Sequence, residues 1–448
     1  MNPDQVRYST SASEGTPAEA EQVIFRSELN SYDPDNNKFV RINLPVQDKA
    51  FVDFGDTTLS LKLTNRSADT ASASAAHSTV KTQLCNLIKS VSILNSQGEQ
   101  IEYINNYNLL CNIVDDYTMG TNHKAGVAHI LSGGSANGDP NGATGLAGST
   151  TTGHTDAESI VLVDGLMTAF TSGQYLLPLG FLVGGSGCSI VLELEDPNVA
   201  LTLGVSDPSP APTGVVVKYK VEDVQLRAKV IRFNSGFNDA FMGSMAEAGE
   251  AGINYISQTY LHNQGTLATG TSGIANVNFS PNPRSAIYIL ACMRKESDIT
   301  NKEKLSLGCR ASATINQYTF EINGKSMPSQ PIEVSNTNIS QAYANVLDCF
   351  GQINNMSHNT LITRADARTL FYSATEATDS KFIAGITLED FNSSVNNVYS
   401  GMNLSNVGTL SFRPKITSGL SANYRIDFLT SCNVSFHFTL EGRCYSVK

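Results

Sequence analysis

Two pairs of closely spaced carboxylates are the residues whose type and spacing could do acid–base or cation chemistry. In the run LELED, Glu193 and Glu195 alternate, so a strand would place both on one face, as a glycosidase pair or a cation site requires. Asp115 and Asp116 are the second pair. Because solvated carboxylates on an outer face are far commoner than such sites, we interpret both pairs as surface residues.

The seven histidines offer little metal chemistry. His123 and His129 flank the run KAGVA, and their six-residue separation matches no standard zinc-ligand spacing. His437 alternates with two phenylalanines in VSFHFTL, which predicts a strand histidine that faces solvent or a hydrogen-bond partner.

Glycine and cysteine motifs point to turns and buried thiols. The run GGSG at Gly184–Gly187 lacks the Lys-Ser/Thr of a phosphate loop and the spacing of a dinucleotide fingerprint, so it predicts a turn before a strand at Cys188. The eight cysteines include no CxxC pair, and several lie in apolar runs such as YILACM around Cys292. We expect reduced, buried thiols, and the sequence predicts no catalytic residue, no cofactor-binding residue and no metal ligand.

The charge of the chain argues against nucleic-acid binding as its main role. Its 448 residues carry a net charge of −11, from 30 Lys and Arg against 41 Asp and Glu. Phosphate binding needs clustered cations. The nearest approach to a cluster, interrupted by acidic residues, consists of Arg294, Lys295, Lys302 and Lys304. We interpret this segment as a solvated loop and expect no direct contact with nucleic acid.

The N-terminal residues 1–21 are small, polar and mixed in charge, which predicts a flexible arm. They lack the apolar core of a signal peptide. The longest apolar candidate, YLLPLGFLVGG from Tyr175, is shorter than a membrane-spanning helix. We therefore expect a soluble product made in the cytosol.

Strand patterns begin near Gln22 and continue through most of the chain. In FVDFGDTTLSLKLTN, Leu59, Leu61 and Leu63 fall on one face, with polar residues between them. The helical spacing within Asn105–Tyr117 predicts a helix, and Leu131–Ser159 is a Gly/Ser/Thr-rich segment that predicts a long surface loop.

Three motifs recur in the same order in both halves of the chain. VSILNSQGEQI resembles YTFEINGKSMPSQPI, YNLLCNIVDDY resembles YANVLDCFGQI, and SIVLELEDPNVALTL resembles GTLSFRPKITSGL. A repeat of this length indicates two copies of one domain. We therefore predict an all-β chain of two tandem eight-stranded antiparallel jelly-roll sandwiches, at residues 22–233 and 253–448, joined by a short-helix linker at 234–252.

Three stretches carry a resemblance to a known family: FVDFGDTTLSLKLTN, LIKSVSILNSQGEQIEYINNYNLL and YRIDFLTSCNVSFHFTLEGRCYSV. They resemble the double jelly-roll major capsid proteins of double-stranded DNA viruses, a lineage of tailless phages, virophages, polinton-like viruses and large eukaryotic DNA viruses. The resemblance spans Val23–Lys448 and is nearest to virophage and polinton-like capsid proteins.

The resemblance implies a structural, non-enzymatic protein of the virion, synthesised in the host cytoplasm. Its partners would be two further copies in a homotrimeric, pseudo-hexagonal capsomer, neighbouring capsomers of an icosahedral shell, and penton and minor capsid proteins. Because this lineage commonly places a membrane or core between shell and DNA, an acidic shell protein is expected.

Two other classes of protein remain open at this point. A tandem β-sandwich carbohydrate-binding or adhesion module should carry a signal peptide or disulfides when secreted. A glycoside hydrolase on a β-sandwich scaffold should carry clustered acids and aromatic sugar platforms, and the chain has no Trp.

Overall fold

A computed structural model of the chain describes residues 18–45, 49–69, 79–120, 123–132, 146–148, 155–172, 176–181, 187–203, 214–249, 253–302, 304, 307–308, 310–335, 337–353, 371–373, 380–389, 401–439 and 444–447. Most of the predicted 131–159 loop and residues 1–17 of the predicted arm lie outside the described residues.

The first half of the chain folds into two facing antiparallel sheets. Its strands are β1 (Ala18–Arg26), β2 (Ser31–Tyr32), β3 (Phe39–Leu44), β4 (Ala50–Asn65), β5 (Ala68–Asp69), β6 (Val80–Lys81), β7 (Ile88–Leu94), β8 (Gln100–Asn105), β9 (Ser159–Gly165), β10 (Cys188–Leu194), β11 (Thr202–Leu203), β12 (Val215–Val216) and β13 (Tyr219–Phe233). The main sheet orders are β1-β13-β4-β9 and β3-β10-β7-β8, with β2 paired to β13 and short ladders β11-β6 and β12-β5.

The second half repeats this arrangement. Its strands are β14 (Ile253–Leu267), β15 (Gly273–Ile274), β16 (Val277–Phe279), β17 (Ala286–Lys295), β18 (Ile315–Ile322), β19 (Lys325–Glu333), β20 (Ile383–Thr387), β21 (Leu410–Ile416), β22 (Tyr424–Phe438) and β23 (Cys444–Val447). They form the orders β14-β22-β17-β20 and β16-β21-β18-β19, with β15 also paired to β21 and β23 to β22. The two halves share one strand order, which confirms the predicted pair of eight-stranded jelly rolls.

Helices occur mainly at the connections between strands. The longer ones are α1 (Tyr107–Thr118) after β8, α2 (Ser235–Ala248) between the two halves, and α3 (Ser340–Cys349) after β19. Short helical turns occur at Leu84–Leu87, Lys124–Ala128, His129–Ser132, Ala169–Ser172, Leu179–Phe181, Pro197–Ala200 and Glu296–Ile299. The Asn234 side chain caps α2 by accepting from Phe237 N. In the described part of the chain, no helix has the length and apolarity to cross a membrane.

Alternating apolar residues build the interior of each sandwich. Leu59, Leu61 and Leu63 of β4 are buried as predicted, while Lys62 between them keeps a 40% exposed side chain on the outer face. In the second sandwich, Phe279 stacks on Phe428 with ring centroids 4.0 Å apart. The seven described cysteines are buried thiols, as predicted.

The first strand begins earlier than the sequence predicts. The boundary at 21/22 would leave residues 18–21 in the arm, but β1 starts at Ala18 and pairs Ala18 with Phe233 through Arg26 with Gln225. The Ala-Glu-Ala-Glu run has weak strand propensity. It is extended because the long partner strand β13 supplies its hydrogen bonds.

Candidate functional site

The junction of β8 and α1 in the first sandwich packs on the second sandwich at β14 and β22, and this contact buries the side chains of Glu102 and Asp427 completely. Its centre is Asp427 of β22, which is fully buried. Arg294 Nη2 lies 2.7 Å and Arg425 Nε 2.8 Å from its carboxylate, and His262 Nε2 lies 2.9 Å away. From the first sandwich, Asn106 Nδ2 donates to Asp427 Oδ1 at 3.3 Å. One carboxylate thus joins three strands and both sandwiches.

These partners keep Asp427 ionised despite its burial. Burial alone would raise the pKa of Asp427, but the Arg294 guanidinium, the His262 hydrogen bond and the Arg425 guanidinium together hold it well below its usual value. Arg294 is only 3% exposed, so it depends on the same ion pair for its compensation.

A second buried ion cluster lies at the end of α1. Asp116 pairs with the fully buried Arg310 and lies 3.3 Å from Lys381 Nζ. Burial would lower the pKa of Arg310, but the adjacent Asp116 carboxylate raises it. Tyr117 donates to Lys381 O at 2.7 Å and stacks on Phe350 at 5.9 Å between ring centroids.

A third polar contact involves Glu102 of β8, which is fully buried. Its carboxylate accepts from Thr259 Oγ1 of β14 at 2.5 Å and from Ala169 N at 2.9 and 3.1 Å. Nearby, Ser446 of β23 donates to Ile101 O at 2.8 Å. Buried ion pairs and hydrogen bonds of this kind require defined geometry to offset desolvation, so they fix the orientation of one sandwich on the other.

The interpretation of the paired carboxylates as solvated residues is wrong for one member of each pair. Glu193 is partly buried, with 13% of its side chain exposed, and pairs with Lys38 and Lys89 at 2.8 and 3.1 Å. Glu195 is 8% exposed and accepts from Asn108 Nδ2 at 2.8 Å, because β10 ends at Leu194 and the chain then turns toward α1. Asp116 is buried in the cluster already described.

The basic segment predicted to be a solvated loop is also different in the structure. Arg294 lies in β17 and is buried against Asp427. Lys302 Nζ donates to Val215 O at 2.6 Å, which links the segment to the first sandwich. β17 is buried without interruption from Ala286 to Arg294, so the charged residue near its end points into a contact that only the folded chain creates.

Of the remaining motif residues, His123 and Asp115 line one cavity, and His437 lies in a strand. His123 is exposed, and His437 lies in β22 as predicted. Of the GGSG run only Gly187 is described; it has φ +82°, and a Cβ there would overlap Leu44 O. Within the described ranges, no group of three or more His, Cys, Asp or Glu residues could hold a metal ion.

A cavity of about 120 Å³ lies between β9 and the short helical turns after α1. It is lined by Asp115, His123, Asp164 and apolar residues that include Met119 and Leu131. Burial raises the pKa of Asp164 to about 6, while its bond from Gly165 N and the nearby His123 act in the opposite direction.

Comparison with solved structures identifies the fold. The Faustovirus major capsid protein superposes with a TM-score of 0.62 at 9% identity, covering 96% of this chain and 92% of that chain. The capsid of the virus PBCV-1 gives a TM-score of 0.59 at 8% identity, covering 97% and 98% of the two chains. This chain has the fold of these capsid proteins.

The mavirus major capsid protein also superposes over 100% of this chain and 93% of its own, with a TM-score of 0.54 at 8% identity. Both sandwiches of the double jelly roll are therefore matched, together with their connection. No protein-family model matches the sequence, and no curated protein matches it. The likeness is one of fold alone.

Proposed function

We propose that this chain is the major capsid protein of an icosahedral double-stranded DNA virus and that it acts as a homotrimeric, pseudo-hexagonal capsomer. The observation that carries the proposal is the near-complete overlay of both sandwiches on viral major capsid proteins. The same overlay gives no support to the alternative of a carbohydrate-binding or adhesion module.

The duplicated fold suits a shell tile. Two similar sandwiches in each chain give six similar units around one threefold axis, and six-sided tiles cover a closed shell with few gaps. Contacts in such a ring are heterologous, and the rotation closes at three copies. The buried clusters at Asp427 and Asp116 keep the two sandwiches of each chain at a fixed angle, as a rigid tile requires.

The role is structural, without catalysis, metal or cofactor. The carboxylates with the most suggestive spacing, Glu193, Glu195 and Asp116, are engaged in ion pairs or hydrogen bonds. We propose residues 18–233 and 253–448 as the two domains, with the first extended to include the start of β1. Further partners are penton and minor capsid proteins. The acidic protein, made in the host cytoplasm, would not bind nucleic acid directly, and an internal membrane is compatible with it.

Electron microscopy of the purified chain at high protein concentration tests the proposal. We expect shells, curved sheets or hexagonal arrays of uniform particles. A population of isolated monomers across a range of salt and pH, together with specific binding to one glycan on an array, would instead support the adhesion module.

A further inference from the structure

A short motif opens the same strand in both sandwiches. Tyr219–Glu222 reads YKVE at the start of β13, and Tyr424–Asp427 reads YRID at the start of β22. In each, the base pairs with the acid two residues later: Lys220 Nζ lies 3.0 Å from Glu222, and Arg425 Nε lies 2.8 Å from Asp427. The two ion clusters are therefore copies of one feature.

The surroundings of the two copies differ. Around Asp427 the cluster is closed by the first sandwich, through Asn106. Around Glu222 the partners are Lys220 and Lys62, and their side chains are 18% and 40% exposed, with Glu222 itself at 24%. The outer face of β1-β13-β4-β9 is exposed at Arg26, Arg227 and Lys229, whereas the equivalent face of the second sandwich is covered at Asp427.

Strand register extends the equivalence to the edge strands. The next residue of β13 on the same face after Glu222 is Gln225, which pairs with Arg26 of β1. The next residue of β22 on the same face after Asp427 is Leu429, which pairs with His262 of β14. Arg26 therefore stands where His262 stands in the second sandwich, and His262 contacts the first sandwich through Asn106 Nδ2 at 2.8 Å.

The other side of the contact can be matched in the same way. Both facing sheets have a register shift at one end, between Ile88 and Ser90 in β7 and between Ile315 and Gln317 in β18. Directly after the shift, Ser90 pairs with Asn105 at the end of β8. Gln317 likewise pairs with Glu333 at the end of β19. Glu333 is the counterpart of Asn105, whose Nδ2 lies 3.5 Å from His262 Nδ1.

We propose that the outer face of β1-β13-β4-β9 receives the second sandwich of another copy of this chain, with Glu333 of that copy on Arg26. This inference rests on the proposed function and deepens it, because it names the two surfaces that close the ring. The contact repeats between chains the contact that each chain already makes between its own sandwiches.

Charge and exposure agree with this pairing. Arg26 and Glu333 are both exposed. Among the described residues Arg26 has no ion-pair partner, and Glu333 accepts only a 3.4 Å bond from Asn338. The open face also presents Arg227 and Lys229 to solvent, so it is basic in a chain of net charge −11. The exposed carboxylate of Glu333 is electrostatically complementary to it.

Charge exchange tests the proposal by native mass spectrometry at one fixed protein and salt concentration. Arg26→Glu and Glu333→Arg should each lower the trimer fraction at least tenfold, and the double variant should restore it. Lys415→Glu is the matched control: Lys415 is exposed on β21, and its counterpart Glu193 contacts the first-sandwich residues Lys38, Lys89 and Ser90. The Lys415→Glu variant should form the trimer to the same extent as the wild type.

The outcomes separate the two claims. A wild-type chain that forms no trimer overturns both the proposed function and this inference. A wild-type trimer that survives both single substitutions unchanged overturns the inference and leaves the proposed function standing. Circular dichroism checks that each variant folds. If a charge-reversal variant fails to fold, Arg26→Gln and Glu333→Gln replace it. We expect these variants to weaken the trimer, and an unchanged trimer would contradict the pairing.

Discussion

Replacing Asp427 by asparagine should destabilise the chain far more than the same change at a surface carboxylate. Asp427→Asn keeps the size of the side chain but removes the charge that compensates Arg294, which is 3% exposed. Breaking a buried pair in this way costs about 3–5 kcal/mol, because an uncompensated charge stays buried. The matched control is Asp35→Asn, whose side chain is 46% exposed and lies 2.9 Å from Lys218 Nζ, itself 37% exposed. Exposed pairs are worth about 0–1 kcal/mol.

Thermal unfolding at neutral pH measures the difference. For a unit of about 200 residues, each kcal/mol shifts Tm by about 2–4 °C, so Asp427→Asn should lower Tm by about 6–20 °C and Asp35→Asn by at most about 4 °C. Equal shifts for the two variants would refute the view that the Asp427 cluster is the buried joint between the sandwiches.

The same cluster predicts a pH dependence with a definite sign. Because the folded-state pKa of Asp427 is lowered, its stabilisation is fully present above the unfolded-state value of about 3.9 and is lost as pH falls below it. The stability gap between wild type and Asp427→Asn should therefore be largest at neutral pH and shrink below about pH 4. A gap that stays constant between pH 7 and pH 3 would show that the charge is not responsible.

Three further predictions concern other parts of the chain. Burial raises the pKa of Asp164 to about 6, so ionisation of this carboxyl destabilises the fold increasingly between about pH 4 and pH 6. Asp164→Asn should therefore be more stable than wild type by up to about 3 kcal/mol at pH 8 and by little at pH 4. A stability difference that does not change with pH would contradict this. Gly187→Ala should lower the free energy of unfolding in denaturant more than Gly98→Ala does. Both glycines have φ +82°, but only at Gly187 would a Cβ overlap Leu44 O. Equal losses of about 1 kcal/mol would contradict the close approach. Chelator should leave Tm unchanged, and a fall of several degrees would reveal a metal that stabilises the fold.

Much of the fold follows from local pattern in the sequence. The alternation of Leu59, Leu61 and Leu63 determines a strand and its inner face, and the ordered motifs of the two halves indicate duplication. Both are local properties, because strand periodicity and turn residues are recognised within a few positions. The start of β1 does not follow from local pattern, because its hydrogen bonds come from β13, about 200 residues away along the chain.

The joint between the sandwiches could not be predicted in the same way. Asp427 and Asn106 are separated by 321 residues, and each is unremarkable in its local sequence. The buried status of Glu195 and Asp116 likewise depends on α1 packing against elements that are distant in the chain. One local signal exists: the motifs YKVE and YRID have the same order of aromatic, basic, aliphatic and acidic residues.

The most direct test of the central claim is the shape and mass of the wild-type particle in solution, from electron-microscopy class averages combined with native mass spectrometry. Three chains of 48.0 kDa should give a particle of about 144 kDa with six lobes around a threefold axis. A stable monomer of 48.0 kDa, or a dimer of twice that mass without a six-lobed outline, would contradict the account of this chain as a capsid tile.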